Sequence, residues 1–88
     1  MSAKIFEGRT AVVTGGARGI GKAISVMLAR EGARVAINYE RNANAARDTL
    51  KLIEAAGGQG MIVQADVASE SDVDRMMAQV REELGPIE

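Results

Sequence analysis

The chain has no cysteine and no histidine among its 88 residues. The first absence excludes disulfides and thiolate metal sites. The second removes the commonest metal ligand and general base. Tryptophan is missing too, and Phe6 and Tyr39 are the only aromatics. A core must therefore be built from Val, Ile, Leu, Met and Ala. No apolar stretch approaches the roughly 20 residues that span a bilayer. The opening "MSAKIFEGR" lacks the apolar centre of a secretory signal. No charge of either sign dominates: the net charge is −1, which gives nucleic-acid binding no electrostatic support. These absences lead us to expect a cytoplasmic protein with neither a membrane nor a nucleic acid as partner, and with no bound metal.

Hydrophobic residues make up 47% of the chain, too many for a disordered one. Their spacing reads as three strand–helix units in one domain covering residues 1–88. "RTAVVT" (Arg9–Thr14) is a short apolar run, the pattern of a buried strand. Ile20, Ile24, Met27 and Leu28 then fall at helical spacing, predicting a helix from Ile20 to Glu31 with that face inward. Gly32 supplies its left-handed stop. "ARVAINY" (Ala33–Tyr39) is the second strand. Ala46, Leu50 and Ile53 define the face of a second helix, from Ala43 to Ala56, which "GGQG" (Gly57–Gly60) ends. "MIVQA" (Met61–Ala65) is the third strand. Ser69 and Asp72 have capping-box spacing before a third helix carrying Val73, Met76, Met77, Val80 and Leu84. Strands alternating with helices at these distances imply parallel pairing through right-handed crossovers, an α/β fold.

"TGGARGIG" (Thr14–Gly21) joins the first strand to the first helix. The first N–H groups of a helix have no partner within it, and the helix dipole adds positive potential, so the junction suits an anion. Gly15 permits the tight turn, Gly19 lets a phosphate approach the backbone, and Gly21 lets the helix lie close to the sheet. This is the logic of a dinucleotide loop, although the spacing is Thr-Gly-x-x-x-Gly-x-Gly rather than Gly-x-Gly-x-x-Gly. The bland alternative is a glycine-rich turn with no ligand. A second alternative is the triphosphatase phosphate loop, since Gly16 to Lys22 has its spacing. There Ala23 stands where a magnesium-holding Ser or Thr is required.

Taken together, "TGGARGIG", the "ADV" of Ala65–Val67 and the closing "GPIE" of Gly85–Glu88 resemble the short-chain dehydrogenase/reductase family. The resemblance runs from Phe6 onward. Within the family it is nearest in look to 3-oxoacyl-(acyl-carrier-protein) reductases and similar sugar or alcohol dehydrogenases. It implies the N-terminal half of a doubly wound (Rossmann) sheet, with strand order 3-2-1. It also implies an NAD(P) cofactor. Thr14, Gly15, Arg18, Gly19, Ile20 and Gly21 would surround the pyrophosphate and adenosine ribose. Asp66 would accept from the adenine amino group beside the backbone of Val67. Without the glycine loop, Asp66 would read as a solvated carboxylate at a strand end.

Cofactor choice turns on the end of the second strand, where an NAD site places an acid on the ribose 2′-hydroxyl. The matching residue here is the neutral Tyr39, followed by Glu40 and Arg41. Arg18 and Arg41 could receive a 2′-phosphate, arginine bidentately. Glu40 opposes this if it points inward, and Lys22 reads as a solvated charge. The balance favours NADP over NAD.

The family's catalytic Tyr-x-x-x-Lys pair is not among these residues: four positions after Tyr39 stands Ala43. We therefore expect no catalytic residue and no dehydrogenase activity from this chain alone, with a small-molecule substrate only in a full-length parent. In the doubly wound order the first strand is central, so Ala11-Val12-Val13 would expose an unpaired apolar edge. Each large apolar side chain left wet forgoes roughly 1.5–3 kcal/mol. Self-association along that edge is the expected partnership, and a self-associating module without ligand is the competing function.

Overall fold

The structure, a computed structural model, describes residues 7–15, 17 and 19–87. It contains β1 (Thr10–Val13), α1 (Gly19–Arg30), β2 (Arg34–Tyr39), α2 (Ala43–Ala55), β3 (Gln59–Gln64) and α3 (Glu70–Leu84). The three strands form one parallel sheet in the order β1-β2-β3, so β2 is central. Val35, Ala36, Ile37 and Asn38 of β2 are all buried, the mark of a strand covered on both faces.

Alternation along the strands divides the core in two. Val35 and Ile37 face one layer with Ala29, Ala33, Ala46 and Ile53, joined by Val13, Leu50 and Ile62. Ala36 and Val63 face the other with Met76, Val80 and Leu84, joined by Val12, Met61 and Ile87. Thus α1 and α2 cover one face and α3 the other, the doubly wound arrangement.

The helix ends follow local chemistry. The Asn42 side chain accepts from the Ala45 N–H at the start of α2. Ser69 caps α3 by accepting from the Asp72 N–H. The return half of the capping box is not made: the Asp72 carboxylate accepts instead from the Asp66 N–H at 2.9 Å. Asp72 is thereby diverted to hold the loop after β3.

Two sequence expectations need correction. The first concerns α1. Leu28 packs on the core, but Ile20, Ile24 and Met27 are exposed, at 81%, 39% and 53%. The buried residues are Ser25 and Ala29. The helix is turned about one residue from its apolar stripe, because small side chains allow it to approach both the sheet and α2. The second concerns "GGQG". Only Gly57 and Gly58 lie in the turn, and Gln59 and Gly60 begin β3. A Cβ on Gly60 would sit 2.7 Å from the Val35 carbonyl oxygen and 3.2 Å from Leu50, so the glycine permits contact between α2 and the sheet. The β1 edge is met at its first residue only, and Ala11–Val13 remain the sheet edge among the described residues. Ile87 pairs in parallel with Thr10, and the Thr10 hydroxyl donates to the Leu84 carbonyl at 3.0 Å. Among the described residues, no helix is long and apolar enough to cross a membrane.

Candidate functional site

All three strands run the same way, so the loops after β1, β2 and β3 gather at one end of the sheet. In open parallel sheets the carboxyl ends of the strands are where ligands sit. Here they frame a cavity of about 420 Å³, lined by Gly15, Ala17, Asn38, Tyr39, Glu40, Arg41 and Asn42. The first and second βα loops are its walls.

The loop after β1 has the backbone that glycine is needed for. Gly15 and Gly19 have φ of 64° and 58°, in the left-handed region that other residues adopt only with strain. Thr14 and Gly15 form an exposed turn, and Gly19, Ile20 and Gly21 make the first turn of α1. The first backbone N–H groups of that helix lack intrahelical partners by construction and lie at the loop. Arg18, assigned by sequence to the same loop, lies outside the described residues.

Tyr39, Glu40 and Arg41 all line the cavity, so the carboxylate that would oppose a 2′-phosphate stands beside the arginine that would receive it. The Arg41 side chain is 90% exposed, with its Nε 3.9 Å from Glu40. A contact so exposed leaves the guanidinium free to exchange partners. No acidic residue occupies the end of β2 itself, since Tyr39 is its last residue.

Asp66 and Val67 follow β3 and are not part of the cavity wall. Asp66 is half-buried and Val67 is exposed. The Asp66 Oδ1 accepts from the Ala68 N–H at 2.9 Å, and its own N–H donates to Asp72, so the loop is held in a single shape. The Ala65 N–H donates to the Tyr39 carbonyl, which carries the sheet pairing up to this loop.

Two polar residues escaped the sequence reading. Asn38, in the apolar run of β2, is 3% exposed and stands where the three loops meet. Its Nδ2 donates to the carbonyls of Ala65 at 3.2 Å and Val63 at 3.5 Å, and its Oδ1 accepts from the Gly15 N–H at 3.4 Å. Thr49 of α2 is fully buried, and its hydroxyl donates to the Ala17 carbonyl at 2.9 Å. The available signal was a polar residue on a buried pattern: Asn38 within "VAINY", and Thr49 on the same helix face as Ala46 and Ile53.

This combination of sheet, glycine turn and crevice has close counterparts in known proteins. Residues 9–88 match the short chain dehydrogenase family, and the chain belongs to that family. It is 45% identical over 80 residues to the short-chain dehydrogenase/reductase homolog YusS of Bacillus subtilis, covering 91% of this chain and 73% of that protein. It superposes on a dehydrogenase/reductase from Sinorhizobium meliloti with a TM-score of 0.94 at 38% identity, covering 98% of this chain and 34% of the other. A short chain dehydrogenase from Burkholderia cenocepacia, solved in complex with NADP, gives a TM-score of 0.89 at 42% identity, covering 94% of this chain and 34% of that one. The chain thus spans about a third of the length of these solved relatives. Its glycine loop belongs to the dehydrogenase pattern and not to the triphosphatase one.

Proposed function

We propose that these residues form the nucleotide-binding part of an NAD(P)-dependent short-chain oxidoreductase that prefers NADP, acting on a carbonyl or alcohol substrate. A 3-oxoacyl-(acyl-carrier-protein) reductase is the parent that the motifs resemble most. The observation that carries the reading is the crevice lined by Gly15 and Ala17 on one side and Tyr39–Asn42 on the other, in which Arg41 stands at the rim beside Glu40 and the last residue of β2 is the neutral Tyr39. Gly15, Gly19, Ile20 and Gly21 would face the pyrophosphate with Arg18. Asp66 and Val67 would meet the adenine, and Arg41 the 2′-phosphate. That a similar chain was solved with NADP supports the choice. When bound, the dinucleotide would give a hydride to a carbonyl in its reduced form or take one from an alcohol in its oxidised form. The residues present here bind and orient it, and without a Tyr-x-x-x-Lys pair we expect binding without turnover.

Fluorescence titration of the protein with NADPH and with NADH tests this. NADPH should bind more tightly, and Arg41→Ala should cut its affinity by about tenfold while changing NADH little, since charge-assisted contacts to phosphate contribute about 1.5–3 kcal/mol. Equal affinities that Arg41→Ala leaves unchanged would remove the NADP preference. No binding of either would remove the nucleotide reading.

A second reading, self-association, is favoured by a separate observation. Ile24 and Met27 are exposed on the helix that packs on β1, whose residues Ala11–Val13 form the sheet edge. A monomer at micromolar concentration in analytical ultracentrifugation would dismiss it.

A further inference from the structure

The glycine turn after β1 is shaped by glycine but not held by it. Left-handed backbone is open to glycine, and so are many other conformations, at an entropic cost. Something outside the turn must select one geometry. Two buried side chains from other units of the fold are placed to do so.

We propose that Asn38 and Thr49 are positioning residues that fix the pyrophosphate-facing loop, one at each end, before any nucleotide arrives. This rests on the nucleotide reading above. Asn38 reaches the inner end. Its side-chain amide is oriented by chemistry, because the two Nδ2 hydrogens face two carbonyls and leave Oδ1 for the Gly15 N–H. One side chain on β2 therefore ties the turn after β1 to the loop after β3. The family resemblance assigns those two loops to two parts of the same ligand, the pyrophosphate and the adenine.

Thr49 reaches the outer end. A threonine inside a helix ordinarily returns its hydroxyl to the carbonyl one turn back. That carbonyl, of Ala45, lies 3.2 Å away, but the Ala17 carbonyl is nearer at 2.9 Å and belongs to the loop. The hydroxyl has one hydrogen, and the loop carbonyl is the closer acceptor. The Asn38 amide bonds to Val63 and Ala65 and the Thr49 bond to Ala17 are buried, so water competes little for them, whereas the Gly15 bond to Asn38 is part-buried. Neither needs to touch the nucleotide. The Gly15 N–H points to Asn38 across 3.4 Å, which leaves the start of α1 as the main anion-facing donor group.

The test uses Thr49→Val, which keeps the shape and loses the hydroxyl, Thr49→Ser, which keeps the hydroxyl, and Asn38→Ala. Affinities for NADPH and for 2′-AMP, which lacks the pyrophosphate, are measured beside urea midpoints and backbone amide exchange by NMR. Thr49→Val should weaken NADPH by about fivefold, the size of one lost hydrogen bond, leave 2′-AMP within about twofold, and be rescued by Thr49→Ser. Asn38→Ala should speed exchange at Gly15 selectively over the neighbouring β1 amides. Equal loss for both ligands, or failure of Thr49→Ser to rescue, means a merely structural role and overturns the Thr49 assignment. Unchanged Gly15 exchange overturns the Asn38 assignment. If the unsubstituted protein binds neither ligand, the nucleotide reading fails instead. Exchange in the loop then decides alone whether the two side chains hold it: selective acceleration upholds the positioning role, and uniform or absent change removes it.

Discussion

The helices α1 and α3 lie on opposite faces of the same three strands and bury opposite kinds of residue. Helix α3 puts Met76, Val80 and Leu84 against the sheet and turns its charged residues outward. Helix α1 buries only Ser25 and Ala29 and leaves Ile20, Ile24 and Met27 wet. By content α1 is the more apolar of the two, yet it is the less buried. The difference teaches that burial is decided by neighbours. α3 sits across β2 and β3, with strand beneath its whole apolar face. α1 sits over β1 at the sheet edge and beside α2, and nothing among the described residues lies past its outer flank. Contiguous exposed apolar surface of that kind marks an interaction site.

A matched pair of methionines breaks or upholds the contrast most directly. Met76→Ala should cost about 2–5 kcal/mol in urea denaturation, as buried large-to-small changes do, whereas Met27→Ala should stay within about 0.5 kcal/mol. Similar losses at both would mean that α1 is buried in solution. The tight side of the sheet is probed next. Gly60→Val places a side chain against the Val35 carbonyl and should cost about 1–3 kcal/mol by the same measurement, through overpacking. Ser69→Ala removes the N-cap of α3 and should cost about 1 kcal/mol, with helix content by circular dichroism falling at lower denaturant. The smallest change in stability, within about 0.5 kcal/mol, is expected from Met27→Lys. It should nevertheless lower any concentration dependence of the sedimentation coefficient. Association that persists unchanged would shift attention from α1 to the bare β1 edge.

Much of this was legible in the sequence, for reasons that differ by element. The runs at Ala11–Val13 and Val35–Ile37 are short, branched and punctuated by glycine, so the strands could be read and their parallel pairing followed from the intervening helices. Ala46 and Ile53, and Met76 and Val80, show the inward faces of α2 and α3 because both helices have sheet beneath them. The face of α1 was misread because periodicity reports where apolar residues are, not whether anything lies opposite. At the site, the turn after β1 was readable from its glycines, two of which take left-handed backbone. Asn38 and Thr49 were not, because their partners are backbone carbonyls and an N–H that every residue carries, and only the fold brings those groups within reach. The diversion of Asp72 from its own cap to the Asp66 N–H is invisible for the same reason.

The bond from the Thr10 hydroxyl to the Leu84 carbonyl spans 74 residues and is buried at both ends. Closing so long a loop costs entropy that no early local contact returns. Of these three strands, the first along the chain is therefore the last to be secured. Until α3 is complete, β1 rests on its pairing with β2, and the glycine turn attached to it inherits that looseness. Folding should become cooperative only once Leu84 can be reached. Stopped-flow refolding of Thr10→Val should show this as faster unfolding with little change in the folding rate, the signature of a contact made after the transition state.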